Sequence, residues 1–173
     1  MTLLVVALAL VARGFAVFPC NSLLANGKCS CRQADCKSPA KHPLGLPGAA
    51  PHGWKDASTD PDQIKKWWKR WPNANIGIAC GASAVIVIDI DVEHAGEETW
   101  AQIKRDNPTI RESAVQAITQ SGGRHLYYAA VPGVNITDGV AGRLGAGVDV
   151  RGSDGYVIAP GSRGLKGDYR WAQ

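Results

Sequence analysis

Hydrophobic and polar residues along this chain fall into blocks of different period. Thr2 to Ala12 is almost wholly apolar, Arg13-Gly14 interrupts it, and Phe15 to Pro19 is a second apolar run ending in proline. This predicts a helix punctuated by Gly14, then a buried strand stopped at Pro19. Residues 44–53, rich in proline and glycine, predict a connector. Asp60-Pro61-Asp62-Gln63 then opens a helix, with Asp60 at the N-cap, Pro61 in the first turn and Gln63 completing a capping box. Within it Ile64, Trp67, Trp68 and Trp71 recur at helical spacing, and Lys65, Lys66, Lys69 and Arg70 occupy the other face. Short strands are predicted over Asn75–Ala79, Val85–Asp91, Ala114–Thr119, Val148–Val150 and Tyr156–Pro160, with a last one beginning near Tyr169. A helix is predicted over Ala95–Asp106, stopped by Asn107-Pro108.

The central strand, Val85-Ile86-Val87-Ile88-Asp89-Ile90-Asp91, carries the first candidate chemistry. Side chains alternate along a strand, so Asp89 and Asp91 share a face about 6.6 Å apart at Cα. Two carboxylates so close repel unless a cation lies between them, and Mg²⁺ or Mn²⁺ takes such oxygen ligands alongside substrate phosphates. The plainer alternative is a polar strand end, with one Asp starting a turn and the other capping the next helix.

Four of the five cysteines precede residue 37. Cys29, Cys31, Cys36 and His42 lie in a polar loop over about residues 28–43 and offer three thiolates and an imidazole, a tetrahedral zinc set. Cys20 stands close enough to replace one of them, and free thiols are the alternative. Cys80, among apolar neighbours, is a small buried hydrophobe.

Three further features carry a functional and a structural reading each. Ser121-Gly122-Gly123-Arg124-His125 places a tight turn, whose amides can face an anion, directly before a cation and an imidazole. Interleaved lysines and tryptophans at 65–71 suit phosphate neutralisation and base stacking, or simply a solvated face over a packed one. Asp149, between two valines, needs a partner if buried, and Arg151 is the nearest in sequence. Gly139, Gly142, Gly145 and Gly147 lead into that strand.

Composition changes this picture little. The 173 residues suffice for one domain over 1–173, and a net charge of +4 permits a polyanionic partner without requiring one. The apolar N-terminus lacks the basic flank and cleavage site of an export signal and is too short to cross a bilayer, so a cytoplasmic protein with no membrane partner is expected.

Asp-x-Asp ending one strand, Ser-Gly-Gly-Arg-His opening the next and a lone Asp on a third resemble the archaeo-eukaryotic primase superfamily. More narrowly, the chain is similar to the bifunctional primase-polymerase (prim-pol) domains of plasmid, phage and other mobile-element replication proteins. The likeness extends to Arg13-Gly14-Phe15…Phe18-Pro19, Gly27-Lys-Cys-Ser-Cys31…Lys41-His42-Pro43, Trp71-Pro72-Asn73-Ala74-Asn75-Ile76-Gly77 and Asp149-Val-Arg-Gly…Gly155-Tyr156-Val-Ile-Ala-Pro160. The resemblance implies an α+β fold: an RRM-like catalytic sheet packed with an N-terminal α/β lobe, the active site between them. It implies that Asp89, Asp91 and Asp149 bind catalytic Mg²⁺ or Mn²⁺, that His125 contacts the nucleotide triphosphate, and that Ser121 and Arg124 assist. The implied activity is transfer of a nucleotide from a dNTP or NTP onto a primer or initiating nucleotide on a single-stranded DNA template, with a helicase in the same or a neighbouring polypeptide as partner. The readings set against it are a zinc-containing nucleic-acid-binding module without catalysis and an unrelated Asp-x-Asp metal enzyme.

Overall fold

The computed structural model describes residues 1–138 and 144–172; Gly139 and Gly142 lie outside them. Helix α1 (Leu3–Ala12) leads to strand β1 (Val17–Cys20), and the cysteine-bearing loop and connector then run to helix α2 (Pro61–Arg70). Strands β2 (Asn75–Ala79) and β3 (Val85–Ile90) follow, then helix α3 (Gly96–Asp106), β4 (Val115–Ile118) and β5 (Arg124–Ala129). The chain closes with β6 (Val148–Arg151), β7 (Tyr156–Ile158) and β8 (Arg170–Trp171). Its strands form two sheets, a three-stranded one in the order β1-β2-β7 and a five-stranded one in the order β6-β3-β5-β4-β8. Every pairing is antiparallel.

One apolar core joins the two sheets. Ala7 and Leu10 of α1, Ile64, Trp67 and Trp68 of α2, and Val17, Ile76, Ile78 and Val157 of the small sheet cluster with Val87, Ala117 and Tyr127 of the large one. The far face of the large sheet buries Ile88, Ile90, Leu126, Val148 and Val150 under Trp100 of α3. The unbroken apolar run at 85–88 therefore has a simple cause: β3 is central and covered on both faces.

Three local expectations are corrected. Pro19 does not stop β1 but lies inside it, opposite Ile76; β1 is an edge strand, where a missing N–H costs no ladder bond. Asp60 caps α2 by accepting from the Asp62 amide at 2.9 Å, but no capping box with Gln63 closes, because the Ser58 hydroxyl already accepts the Asp60 N–H at 3.0 Å. Asp91 falls just beyond β3 and caps the 3₁₀ turn Val92–His94.

Candidate active site and metal-binding loop

The alternation that sends Val85 and Val87 into the shared core sends Asp89 to its rim. The neighbouring strands do the same. Asp89 stands opposite His125 of β5 on one side and opposite Asp149 of β6 on the other. Asp89 and His125 line a cleft of about 360 Å³ between the two sheets, while Asp149 is not in its lining and joins the group through Arg151. The lining includes Asp89, Asp91, Ser121 and His125, together with Lys41, Asp138, Arg151 and Tyr169.

Arg151 is the hub of this cluster. Its guanidinium lies 3.0 Å from Asp149, 3.7 Å from Asp89 and 3.5 Å from Asp138. Asp89 also lies 3.5 Å from His125 Nε2. Burial pushes the Asp89 carboxyl up, but the His125 imidazole, then Arg151 and Lys41, outweigh it and hold the carboxyl below its ordinary value. The buried His125 ring sits at 6.0 Å from the Tyr169 ring and 6.3 Å from that of Tyr127. Its Nδ1 has no hydrogen-bond partner among the described residues.

Asp91 lines the cleft, yet its carboxylate accepts from the Glu93 amide and meets His94 Nδ1, each at 2.9 Å. Burial raises this carboxyl and those two contacts outweigh it, so its net shift is downward. The plainer reading, an Asp capping the next turn, therefore describes Asp91 as it stands.

The turn before β5 divides into two groups. Ser121 and His125 reach the cleft. Gly122 spends its N–H on the Thr119 carbonyl at 3.1 Å, so that amide does not face an anion. Gly123 passes so close to strand β3 that a β-carbon would overlap the Ile90 carbonyl. Arg124 is on the sheet face opposite His125, where its guanidinium grips Glu97 at 2.7 Å by two bonds and Glu112 at 2.5 Å. Its place beside the nucleotide is thus corrected to an anchor for α3. Strand parity was the available signal, since residue 124 shares a face with Leu126.

On α2, Ile64, Trp67 and Trp68 are buried, while Lys65, Lys66, Lys69 and Arg70 are exposed. Lys65 pairs with Asp62 at 2.9 Å, and the Arg70 guanidinium lies 5.1 Å from the centre of the Trp71 ring. The tryptophans are core, so base stacking on Trp67 or Trp68 is not available.

Cys29, Cys31, Cys36 and His42 converge, their ligand atoms all within 4.8 Å of one another. Nε2 of His42 lies 3.4 Å from the Cys29 sulfur and 3.5 Å from that of Cys36. Tetrahedral zinc with ordinary bond lengths separates S and N ligands by about 3.5 Å, so the donor set and its spacing fit zinc. Burial raises the Cys29 thiol, but the amides of Ala40 and Cys31, with the Cys31 and His42 side chains, outweigh it and lower it to about 7. The side-chain amide of Asn21 sits 3.2 Å from His42 Nδ1, fixing the ring from behind. Cys20 does not replace a ligand; it is buried with Phe18 and Ala50. Burial pushes the Cys80 thiol up to about 12, as suits a core residue.

Residues 7–173 match the family of bifunctional DNA primase/polymerase N-terminal domains, Prim-Pol, and the chain belongs to that family. No curated protein matches the sequence. Among the described residues no helix is long and apolar enough to cross a membrane.

Proposed function

We propose that the chain is one catalytic domain that adds nucleotides to a primer, or to an initiating nucleotide, on single-stranded DNA. Family membership carries DNA primase/polymerase activity in general. The observation that supports this particular site is the row His125–Asp89–Asp149 across three adjacent strands, two of whose members, His125 and Asp89, line the cleft. The order β6-β3-β5-β4, with α3 between β3 and β4, is also the strand order of an RRM-like sheet and favours that reading of the fold.

The donor set suits a hard divalent ion. Asp89 and Asp149, with Asp138 beside them, offer carboxylate oxygens, and a guanidinium already occupies the position where positive charge is needed. Mg²⁺ or Mn²⁺ held there would supply charge neutralisation for the attacking 3′-hydroxyl and the departing pyrophosphate. Asp91 joins the set by giving up its cap on the 92–94 turn. His125, wedged between aromatic rings, presents Nε2 towards the cleft as a fixed contact for a triphosphate oxygen, and Ser121 offers a hydroxyl nearby. Arg151, displaced from the carboxylates, is free to meet the same anion. The Cys29, Cys31, Cys36, His42 set holds structural zinc, with all four positions filled by protein. The exposed Lys65, Lys66, Lys69 and Arg70 face is placed as a contact for template or primer phosphates. A helicase, in this polypeptide or a neighbouring one, is the partner that would supply single-stranded template.

The experiment is extension of a labelled DNA primer on a longer template with dNTPs and Mn²⁺, repeated with NTPs and with chelator. Metal-dependent extension is expected. Binding of single-stranded DNA without any incorporation, under either metal, would leave a non-catalytic module as the better account.

A further inference from the structure

The cysteine loop does more than close on itself: two of its residues, Ser38 and Lys41, also line the cleft. Asp89 and His125 are in the same lining. The backbone here is fixed from several directions. The Ala40 N–H donates to the Cys29 sulfur at 3.4 Å, and the Ser38 amide donates to the Cys36 sulfur. From the other side Asn75 of β2 donates to the Ala40 carbonyl at 2.9 Å, and the Tyr156 hydroxyl of β7 donates to the Lys41 carbonyl at 3.1 Å. Ala40 is fully buried and adopts a left-handed backbone at φ 62°, a conformation a β-carbon tolerates poorly. A strained, heavily anchored turn thus holds out an exposed lysine.

That lysine forms no ion pair among the described residues, although it lies close enough to Asp89 to help lower its carboxyl. The carboxylates of the cleft already have partners: Asp89 pairs with Arg151 and His125, Asp138 with Arg151, and Asp91 with His94. An ammonium held at the mouth of a cleft whose carboxylates are otherwise engaged is suited to a polyanion arriving from solvent.

We infer that Lys41 contacts the triphosphate of the incoming nucleotide, and that zinc in the Cys29, Cys31, Cys36, His42 set holds it in position to do so. This rests on the nucleotide-transfer reading above. It makes the metal loop part of the substrate site, acting through two sulfur-bound amides and without touching substrate.

Binding of dATP with Mn²⁺, measured by calorimetry, tests this apart from catalysis. Lys41→Ala should bind dATP about 10- to 100-fold more weakly, the range of one lost charge-assisted bond. Lys41→Arg should recover most of the loss, and Lys37→Ala, exposed on the same loop but outside the cleft, should bind like the native protein. Deoxyadenosine, which has no phosphates, should show no difference between Lys41→Ala and the native protein. Zinc removal, followed by readdition, should weaken and restore dATP binding in the native protein and do little more in Lys41→Ala. Native protein that binds dATP equally well with and without Lys41 overturns this inference and leaves nucleotide transfer standing. Native protein that fails to bind dATP at all overturns both. Should zinc removal unfold the loop, the lysine substitutions still decide the contact.

Discussion

Asp89 and Asp149 face each other across the β3–β6 pair, two carboxylates directly opposite on adjacent antiparallel strands, with the Arg151 guanidinium between them at 3.7 and 3.0 Å. Like charges so placed destabilise a sheet. In this protein the guanidinium offsets that cost, and under the proposed function a divalent ion would do the same.

Removing Arg151 should therefore have opposite effects with and without metal. Arg151→Met strands Asp89, Asp138 and Asp149, and metal-free protein should lose about 1–2 kcal/mol, or roughly 3–6 °C in melting temperature. Added Mn²⁺ should raise the melting temperature of the variant more than that of the native protein. An equal Mn²⁺ shift in both would separate Arg151 from the metal site.

The pH dependence of stability carries a second test. The Asp89 carboxyl lies below its ordinary value in the folded protein, because His125 and Arg151 outweigh burial. Such a group contributes stability that is present above its unfolded value, about 4, and is lost as pH falls through its folded value. Metal-free Asp89→Asn should accordingly melt below the native protein at pH 6 and approach it near pH 3. A gap that stays constant over this range would mean that the carboxyl is not paired as the geometry has it.

The loop should yield one zinc per chain by elemental analysis of protein purified without added metal. Cys29→Ser should lose it, and acidification should release it as the thiolates and imidazole take up protons. A disulfide among Cys29, Cys31 and Cys36, or a metal content near zero, would contradict the assignment.

On α2, Lys66 and Lys69 form no ion pair among the described residues. If they meet DNA phosphates, Lys66→Gln and Lys69→Gln should each flatten the salt dependence of single-strand binding by about 0.7 in the log–log slope. An unchanged slope would return the helix to a purely structural role, its tryptophans in the core and its lysines in water.

Much of the site could be read from the sequence because strand alternation is strict. The Val85–Asp91 run placed Asp89 at the end of a core-facing row, and Cys29, Cys31, Cys36 and His42 were legible as donors of the right chemistry. Cleft residues that the sequence does not mark as site residues were not legible. Lys41 and Asp138 reach the cleft only through tertiary folding, and sequence proximity links Arg151 to Asp149 but not to Asp89 or Asp138. Adjacency to His125 suggests a shared site for Arg124, but consecutive residues of β5 face opposite sides of the sheet, and Arg124 meets Glu97 of α3 instead. Pro19 and Gln63 failed for related reasons: an edge position excused the proline, and Ser58 had already taken the amide that a capping box needs.

The most direct test of the account is single-nucleotide incorporation by Asp89→Asn, an isosteric change that keeps hydrogen-bonding capacity and removes the charge. Folded Asp89→Asn should bind primed template like the native protein but incorporate nothing measurable with Mg²⁺ or Mn²⁺, and its melting temperature should no longer respond to Mn²⁺. Incorporation at the native rate by the folded variant would contradict the placement of the catalytic metal on β3.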